Sequence, residues 1–200
     1  MLTDSQIERY SRQIVLPEVG GRGQERLLAA SAAISGGGTA AIFCAAHLAA
    51  AGVGKLRFEG SDAAGPLADA FALRVRNVDC EIRAAAAGPA DVTILLGEVD
   101  AARAVEIGHL VWGEETHGGI VAARFSSGRG CIACLAALAS PAKTATGSGQ
   151  LLGALLATLA LRALLGIGAH DRASLLRFAP DASAFTSRPF PSRARCPVCH

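Results

Sequence analysis

The chain has 200 residues, enough for one α/β unit with a substantial buried core. Hydrophobic residues make up 51% of it and charged residues 18%, which excludes both a disordered chain and a highly charged nucleic-acid-binding one. A formal net charge of +2 singles out no partner, and nucleic acid is not expected among them.

Thr3-Asp4-Ser5-Gln6 is a capping-box pattern and predicts a helix through about Gln13. Met1 to Gln13 is polar and lacks the apolar core of a secretory leader, so a cytoplasmic, thiol-reducing setting is expected. Pro17, Gly20, Gly21 and Gly23 predict a break before the chain resumes at Gln24 to Leu28. Ala32-Ala33-Ile34-Ser35 reads as a strand running into Gly36-Gly37-Gly38. A small-residue helix follows from Thr39 to about Ala51, closed by Gly52 and Gly54, and Lys55 to Glu59 is the next strand. Strand, glycine turn, helix, strand is one Rossmann-type βαβ unit.

Further on, a short helix is expected around Leu67 to Arg76, a third strand at Glu81 to Ala85 and a fourth at Val92 to Leu96. Val99 to Glu106 reads as helical, Leu110 to Trp112 as strand-like, and Val121 to Phe125 as extended. His109, Glu114, Glu115 and His117 read as a polar turn, for which a solvated loop outweighs an acid–base role. Leu151 to Ala169 is apolar enough to raise a membrane question. Arg162 inside it, with Gly153, Gly166 and Gly168, favours a buried or dimer-facing helix over Gln150 to Leu165. Leu175 to Phe178 reads as an edge strand, and Pro180 to Pro197 as a proline- and arginine-rich tail.

The turn Gly36-Gly37-Gly38-Thr39-Ala40-Ala41 is a G-x-G-x-x-A variant. Bare backbone lets a phosphate group approach, and the helix N-terminus favours its charge. Glu59 lies where such motifs place a ribose-binding acid. The competing reading is a turn that serves helix–sheet packing alone, with Glu59 a solvated strand-end charge.

Six cysteines are present, and four form two C-x-x-C pairs, Cys131/Cys134 and Cys196/Cys199. Two such turns complete a tetrahedral four-sulfur site suited to zinc. Four sulfurs leave no open position, so the metal would be structural, pinning the C-terminal tail to the body. Two unrelated pairs or a redox pair is the competing reading. Cys44 and Cys80 read as core residues. Cys44 and His47 have ligand-like helical spacing, but no second pair accompanies them.

The opening Glu8-Arg9-Tyr10-Ser11-Arg12-Gln13-Ile14-Val15-Leu16-Pro17 through Gly23-Gln24-Glu25 resembles the N-terminal signature of the ThiF/MoeB/HesA family. The glycine turn, Leu48 to Gly54, Gly118-Gly119, Gly130-Cys131-x-x-Cys134, the late apolar helix and Cys196-Pro197-Val198-Cys199 recur in family order. This resemblance implies a homodimeric Rossmann-like α/β fold, mostly parallel sheet flanked by helices, in three parts: a helical segment 1–30, a nucleotide-binding half 31–115 and a carrier-binding, zinc-bearing half 116–200. It implies ATP-dependent adenylation of the C-terminal glycine of a ubiquitin-like sulfur carrier, with a metal ion on the phosphates. Arg12 matches an arginine that serves the partner subunit's nucleotide. Asp62 matches the second acid of the family's aspartate-x-aspartate, where this chain has Gly60-Ser61-Asp62. The family's metal-binding aspartate falls near Glu98 or, with a shift, Asp100.

The family's phosphate-directed arginine and lysine have no counterpart in Ala63 to Asp69, although Arg74 or Arg76 can compensate. No cysteine lies between Cys134 and Cys196, so a thioester step is not expected. Three readings follow. One is an adenylyltransferase with weakened catalysis, using Arg12, Asp62 and Glu98 with Mg²⁺. Another is a non-catalytic homologue serving as a binding or scaffolding subunit. The last is an NAD-binding Rossmann protein. No membrane association is expected of any of them.

Overall fold

A computed structural model describes residues 1–59, 79–84, 88–99, 109–117, 119–126, 131–138, 147–168, 173–179, 181–190 and 195–196. The expected helix at Leu67 to Arg76 lies outside them, as do Asp62, Asp100, Cys199 and most of Val99 to Glu106.

Thr3 forms the expected capping box with Gln6 and starts α1 (Asp4–Arg9). The helix does not run on to Gln13. It breaks at Tyr10, and a separate turn of helix, α2 (Ser11–Ile14), follows. The break sends the Tyr10 ring inward, where it is 1% exposed. Its hydroxyl donates to Asp79 Oδ2 at 3.0 Å, and Gln6 Nε2 donates to Asp79 Oδ1 at 3.2 Å. One carboxylate thus fixes the opening segment to the body.

The glycines at 20, 21 and 23 do not interrupt the chain as expected. They open α3 (Gly20–Ala29). Gly23 is buried at a close approach, where an added Cβ would stand 3.1 Å from Leu165 Cδ2. Tertiary packing here outweighs glycine's poor helix propensity.

Among the described residues, eight strands form one sheet in the order β3-β2-β1-β4-β5-β6-β7-β8. They are β1 (Ser31–Ser35), β2 (Lys55–Glu59), β3 (Glu81–Ala84), β4 (Val92–Leu96), β5 (His109–Thr116), β6 (Gly119–Ser126), β7 (Ser174–Ala179) and β8 (Ala184–Pro189). β3, β2, β1, β4 and β5 are parallel neighbours. From β5 onward each pairing is antiparallel. The sheet is the expected α/β type, with helices α4 (Gly38–Ala50), α5 (Ile132–Ala136) and α6 (Gly149–Leu165) beside it.

Central β1 is buried on both faces, with Ala32, Ala33 and Ile34 at 1%, 0% and 0% exposure, as a strand covered on each side must be. On one face α4 and α6 pack together over Ile34, Ile94 and Val111. Their contact is close because Gly153 carries no side chain: a Cβ there would stand 2.5 Å from the Ala40 carbonyl oxygen. On the other face Trp112, Leu95, Phe125 and Leu135 form a second cluster. α6, the segment that raised the membrane question, has 17 residues and is largely buried inside this chain. No helix among the described residues is long and apolar enough to cross a membrane.

Two readings of the second half need correction. The polar turn expected around Glu114 and Glu115 is the end of β5, and Glu114 is buried at 7% exposure. Leu175 to Phe178 lies in β7, which is not an edge. β8, from within the supposed tail, pairs along it with Leu175 opposite Arg188 and Phe178 opposite Phe185.

Candidate functional site

The order of the parallel strands reverses between β1 and β4, since β2 and β3 lie to one side of β1 and β4 and β5 to the other. In such sheets ligands bind at the carboxyl ends of the strands beside that switch point. The glycine turn is there. Gly36 leaves β1 with φ +109°, and a Cβ on it would stand 2.7 Å from Leu96 Cβ at the end of β4. Both conformation and space require glycine. Gly37 is the N-cap of α4 in extended conformation, and no side chain caps the helix. Gly38 has φ +77° with open space around it. The three glycines are exposed, while Ala41 is fully buried against the sheet. The result is an uncapped helix start presenting backbone N–H groups to solvent, the geometry that receives an anion.

Trp112 organises the neighbouring strand end. Its indole N–H donates to the Gly97 carbonyl oxygen at 2.7 Å, fixing the turn that leaves β4. Glu98 follows that turn and is exposed. Arg12 is exposed on α2. Glu59 is not the solvated charge of the competing reading. It is 3% exposed, and its Oε1 accepts Arg57 Nε at 3.0 Å, Arg57 Nη2 at 2.7 Å and the Gly88 N–H at 3.3 Å. Arg57 also reaches the carbonyl oxygens of Gly88 and Pro89. Glu59 thus belongs to a clasp joining the end of β2 to the segment before β4.

Sequence reasoning set Glu115 aside as part of a solvated turn, and the structure places it elsewhere. β5 continues beyond the end of β4, since Leu96 lies opposite Gly113. Glu115 therefore stands at the carboxyl edge of the sheet. Its Oε2 accepts the Ser148 N–H at 3.3 Å, at the start of α6. A Cβ built on Gly149 would stand 3.0 Å from Thr39 Cβ, 3.1 Å from Glu115 Oε1 and 3.3 Å from the Ala40 nitrogen. The carboxylate and the first turn of α4 thus both border the space that a side chain on residue 149 would fill. Nothing in the sequence spacing links these positions.

A second cluster lies under the opposite face. Cys131 is the N-cap of the short α5, and Cys134 is within that helix. Cys196 joins them, its Sγ 3.6 Å from that of Cys131. The three sulfurs lie within 4.8 Å of one another and could hold a metal ion. All are buried, at 9%, 1% and 0% exposure. Phe190 packs against them and meets the Phe125 ring edge-on at 4.5 Å. A soft thiolate set of this kind suits zinc.

Of the other described cysteines, Cys44 is a core residue and Cys80 is half-buried against the core. Burial pushes the Cys44 thiol up to about 12. Burial and then the Glu81 charge push Cys80 up to about 12. Cys44 points into the core while His47 is exposed, so their spacing makes no ligand pair. A separate cleft of about 660 Å³ lies at the amino ends of the parallel strands, lined by Arg26, Ser31, Asp91 and His109 among others. Asp91 is already engaged there by Ser31 at 2.8 Å.

No family model matches the chain. Over 55 residues it is 53% identical to adenylyltransferase and sulfurtransferase MOCS3 of Bos taurus, covering 28% of this chain and 12% of that protein. Over 54 residues it is 44% identical to the sulfur carrier protein adenylyltransferase of Thermus thermophilus, covering 27% of this chain and 20% of that one. Over 59 residues it is 48% identical to the vegetative HesA protein of Trichormus variabilis, covering 28% and 21%. The matched stretch therefore spans between 12% and 21% of each relative's length. Among solved structures, E. coli MccB with ATP superposes with a TM-score of 0.71 at 14% identity, over 99% of this chain and 74% of that one. Microcin C7 biosynthetic enzyme MccB with N-formylated MccA gives 0.72 at 15% identity, over 100% and 77%. These superpositions establish the fold, and a stretch of about 55 residues is similar to proteins of the MOCS3, sulfur carrier adenylyltransferase and HesA kind.

Proposed function

We propose that this chain binds ATP at the Gly36–Gly38 turn and activates a carboxylate by adenylation, with weakened catalysis. The observation that carries this is the open, uncapped start of α4 at the switch point of the sheet. In the reaction a carboxylate oxygen attacks the α-phosphorus of ATP, the α–β phosphoanhydride bond breaks, and pyrophosphate leaves. The carboxylate is that of the C-terminal glycine of a ubiquitin-like sulfur carrier, by similarity to the sulfur carrier protein adenylyltransferase.

The chain's own residues divide the work. Gly36, Gly37 and Gly38 give the phosphates close access to the backbone N–H groups of α4, with Ala41 seating that helix on the sheet. Arg12, exposed on α2, serves the nucleotide of a partner protomer in a homodimer. The exposed Ile7, Val15 and Leu16 on the same N-terminal segment support burial against that protomer. Asp62, beyond the end of β2, receives the ribose, with Glu59 bracing the strand end beside it. Glu98 is the carboxylate that holds Mg²⁺, a hard cation suited to oxygen ligands. When bound, that ion neutralises charge developing on the phosphates. Cys131, Cys134 and Cys196, completed by Cys199, hold a structural zinc.

Catalysis is weakened because Ala63 to Asp69 offers no phosphate-directed cation. Loss of one preorganised donor costs roughly 3 kcal/mol of barrier. A second reading, a non-catalytic binding subunit, is favoured by one observation: Glu59 is engaged by Arg57 and withdrawn from solvent.

Calorimetric titration with ATP and separately with NAD tests the site. ATP is expected to bind more tightly, and Gly38→Val is expected to abolish binding. An added Cβ meets nothing within 4 Å, but φ of +77° strains a β-branched residue, so the melting temperature of the variant is measured beside its affinity. Tighter binding of NAD would overturn the assignment in favour of a dinucleotide-binding protein.

A further inference from the structure

We propose that Asp79 positions Arg12 to reach the nucleotide bound by a partner protomer. The proposal rests on the reading of Arg12 given above and adds to it the residue that aims the arginine.

Arg12 lies on α2, a single turn of helix with no buried residue. Its place follows from Tyr10, the N-cap of that turn, whose carbonyl oxygen accepts the Gln13 and Ile14 N–H groups at 2.9 and 3.0 Å. Among the described residues before α3, Tyr10 alone is buried. The ring fits because Gly52 carries no side chain: a Cβ there would stand 2.9 Å from both Tyr10 Cε1 and Cζ. Packing sets the depth of the ring, and Asp79 holds its hydroxyl.

Asp79 stands two residues before β3, and the opening segment converges on it. Its Oδ2 accepts the Tyr10 hydroxyl at 3.0 Å and faces Arg9 Nε at 3.4 Å, while Oδ1 accepts Gln6 Nε2 at 3.2 Å. Three side chains, from α1 and from its break with α2, thus meet one carboxylate whose side chain is 16% exposed. Hydrogen bonds to an ionised acceptor are roughly twice as strong as neutral ones. A further link, between the Met1 amino group and Glu25 at 3.1 Å, is exposed, and such pairs hold little. α2 also lies against α3, so loss of the Asp79 charge should shift the segment and leave the fold. A misplacement of about 1 Å in a group that contacts substrate can cost about 100-fold. Asp79 acts through Arg12, which makes it a positioning residue and not a catalytic one.

The experiment is a double-mutant cycle read by calorimetric titration of ATP into the full chain, with melting temperatures measured beside each affinity. Its members are the unaltered protein, Asp79→Asn, Arg12→Ala and the double variant. Tyr10→Phe, which keeps the ring and removes the hydroxyl, releases the same anchor by a second route. Arg12→Ala is expected to weaken ATP binding about 30-fold, and Asp79→Asn or Tyr10→Phe about 10-fold, as loss of charge-assisted hydrogen bonds does. In the Arg12→Ala background, either anchor variant is expected to change affinity by less than about 2-fold, because residues that act through one another do not add. Action across the dimer also predicts complementation. Co-expressed Asp79→Asn and Gly38→Val chains form mixed dimers in which one protomer supplies an intact glycine turn and the other a correctly held Arg12, so tight binding should return at a fraction of the sites. Full additivity in the cycle, or no recovery in the mixed dimers, would overturn the proposal and leave Asp79 a stabiliser of the fold alone. Unchanged ATP affinity in Arg12→Ala would remove the arginine's assignment and this proposal with it, while the glycine turn would stand. If the unaltered chain melts cooperatively and binds no ATP, the ATP-binding reading itself fails, and the proposal falls with it.

Discussion

Arg57 and Glu59, two residues apart on β2, face the same side of the strand and form an ion pair at 2.7 Å. Glu59 has 1% and Arg57 23% of its side chain exposed. A carboxylate that deep is tolerated only when paired and hydrogen-bonded. The pair also gathers the Gly88 N–H and the carbonyls of Gly88 and Pro89, so the clasp sets where β2 ends beside the glycine turn.

Replacing Arg57 by Met should therefore strand a buried negative charge. Breaking a buried pair from one side costs about 3 kcal/mol, which for a chain of this length lowers the melting temperature by roughly 10 °C. Glu59→Gln should be milder, because a neutral amide needs no counter-charge. Thermal denaturation of both variants checks the order. Equal small effects would mean that the clasp contributes little to stability.

The three thiols should bind one zinc per chain, with Cys199 as the fourth ligand. Elemental analysis of purified protein is the check, with Cys196→Ser as the control expected to lose the metal. Because the ligand set joins α5 to the C-terminal segment, that variant should lose protection from proteolysis mainly after β8. Metal-free protein with unchanged stability would contradict the assignment.

Cys44 and Cys80 should resist alkylation in the native state. Both thiols are pushed up to about 12, so the nucleophilic thiolate is scarce near pH 8. Intact-mass analysis after iodoacetamide should find them modified only in denaturant. The linkage runs the same way. Below about pH 8.5 both states keep these thiols protonated, and no stability changes with pH on their account. Above it the unfolded chain releases protons that the folded chain retains, so stability falls as pH rises from there toward about 12. Substituting Cys44 by Ala should flatten that alkaline decline.

The first half was legible because its signals are local. The capping box at Thr3, the glycine turn, and the apolar run of Val92 to Leu96 each act within a few residues, and β4 spans Val92–Leu96 as expected. The cysteine pairs were legible as spacing, and Cys131, Cys134 and Cys196 do meet. β8 was not legible. Its residues from Phe185 to Pro189 are exposed, so no alternation marks a buried face, and pairing with β7 alone makes it a strand. Glu114 and Glu115 misled for the opposite reason. Charged residues suggested a turn, yet β5 carries them past the end of β4 into a buried and a half-buried position. That Glu115 and Thr39 border one space at residue 149 depends on how α4 and α6 pack, and a packing distance leaves no periodic trace.

Carrier-dependent ATP–pyrophosphate exchange tests the central claim most directly, with candidate small carriers ending in Gly-Gly and an intact adenylyltransferase of the family as reference. Losing one charge-stabilising donor typically slows catalysis about 10² to 10³-fold, and losses at one site need not add. Exchange should therefore require the carrier and run at least about 100-fold slower than the reference. It should increase when an arginine- and lysine-bearing segment is grafted in place of Ala63 to Asp69. Exchange at the reference rate by the unmodified chain would contradict the weakened site, and complete absence of carrier-dependent exchange would contradict adenylation itself.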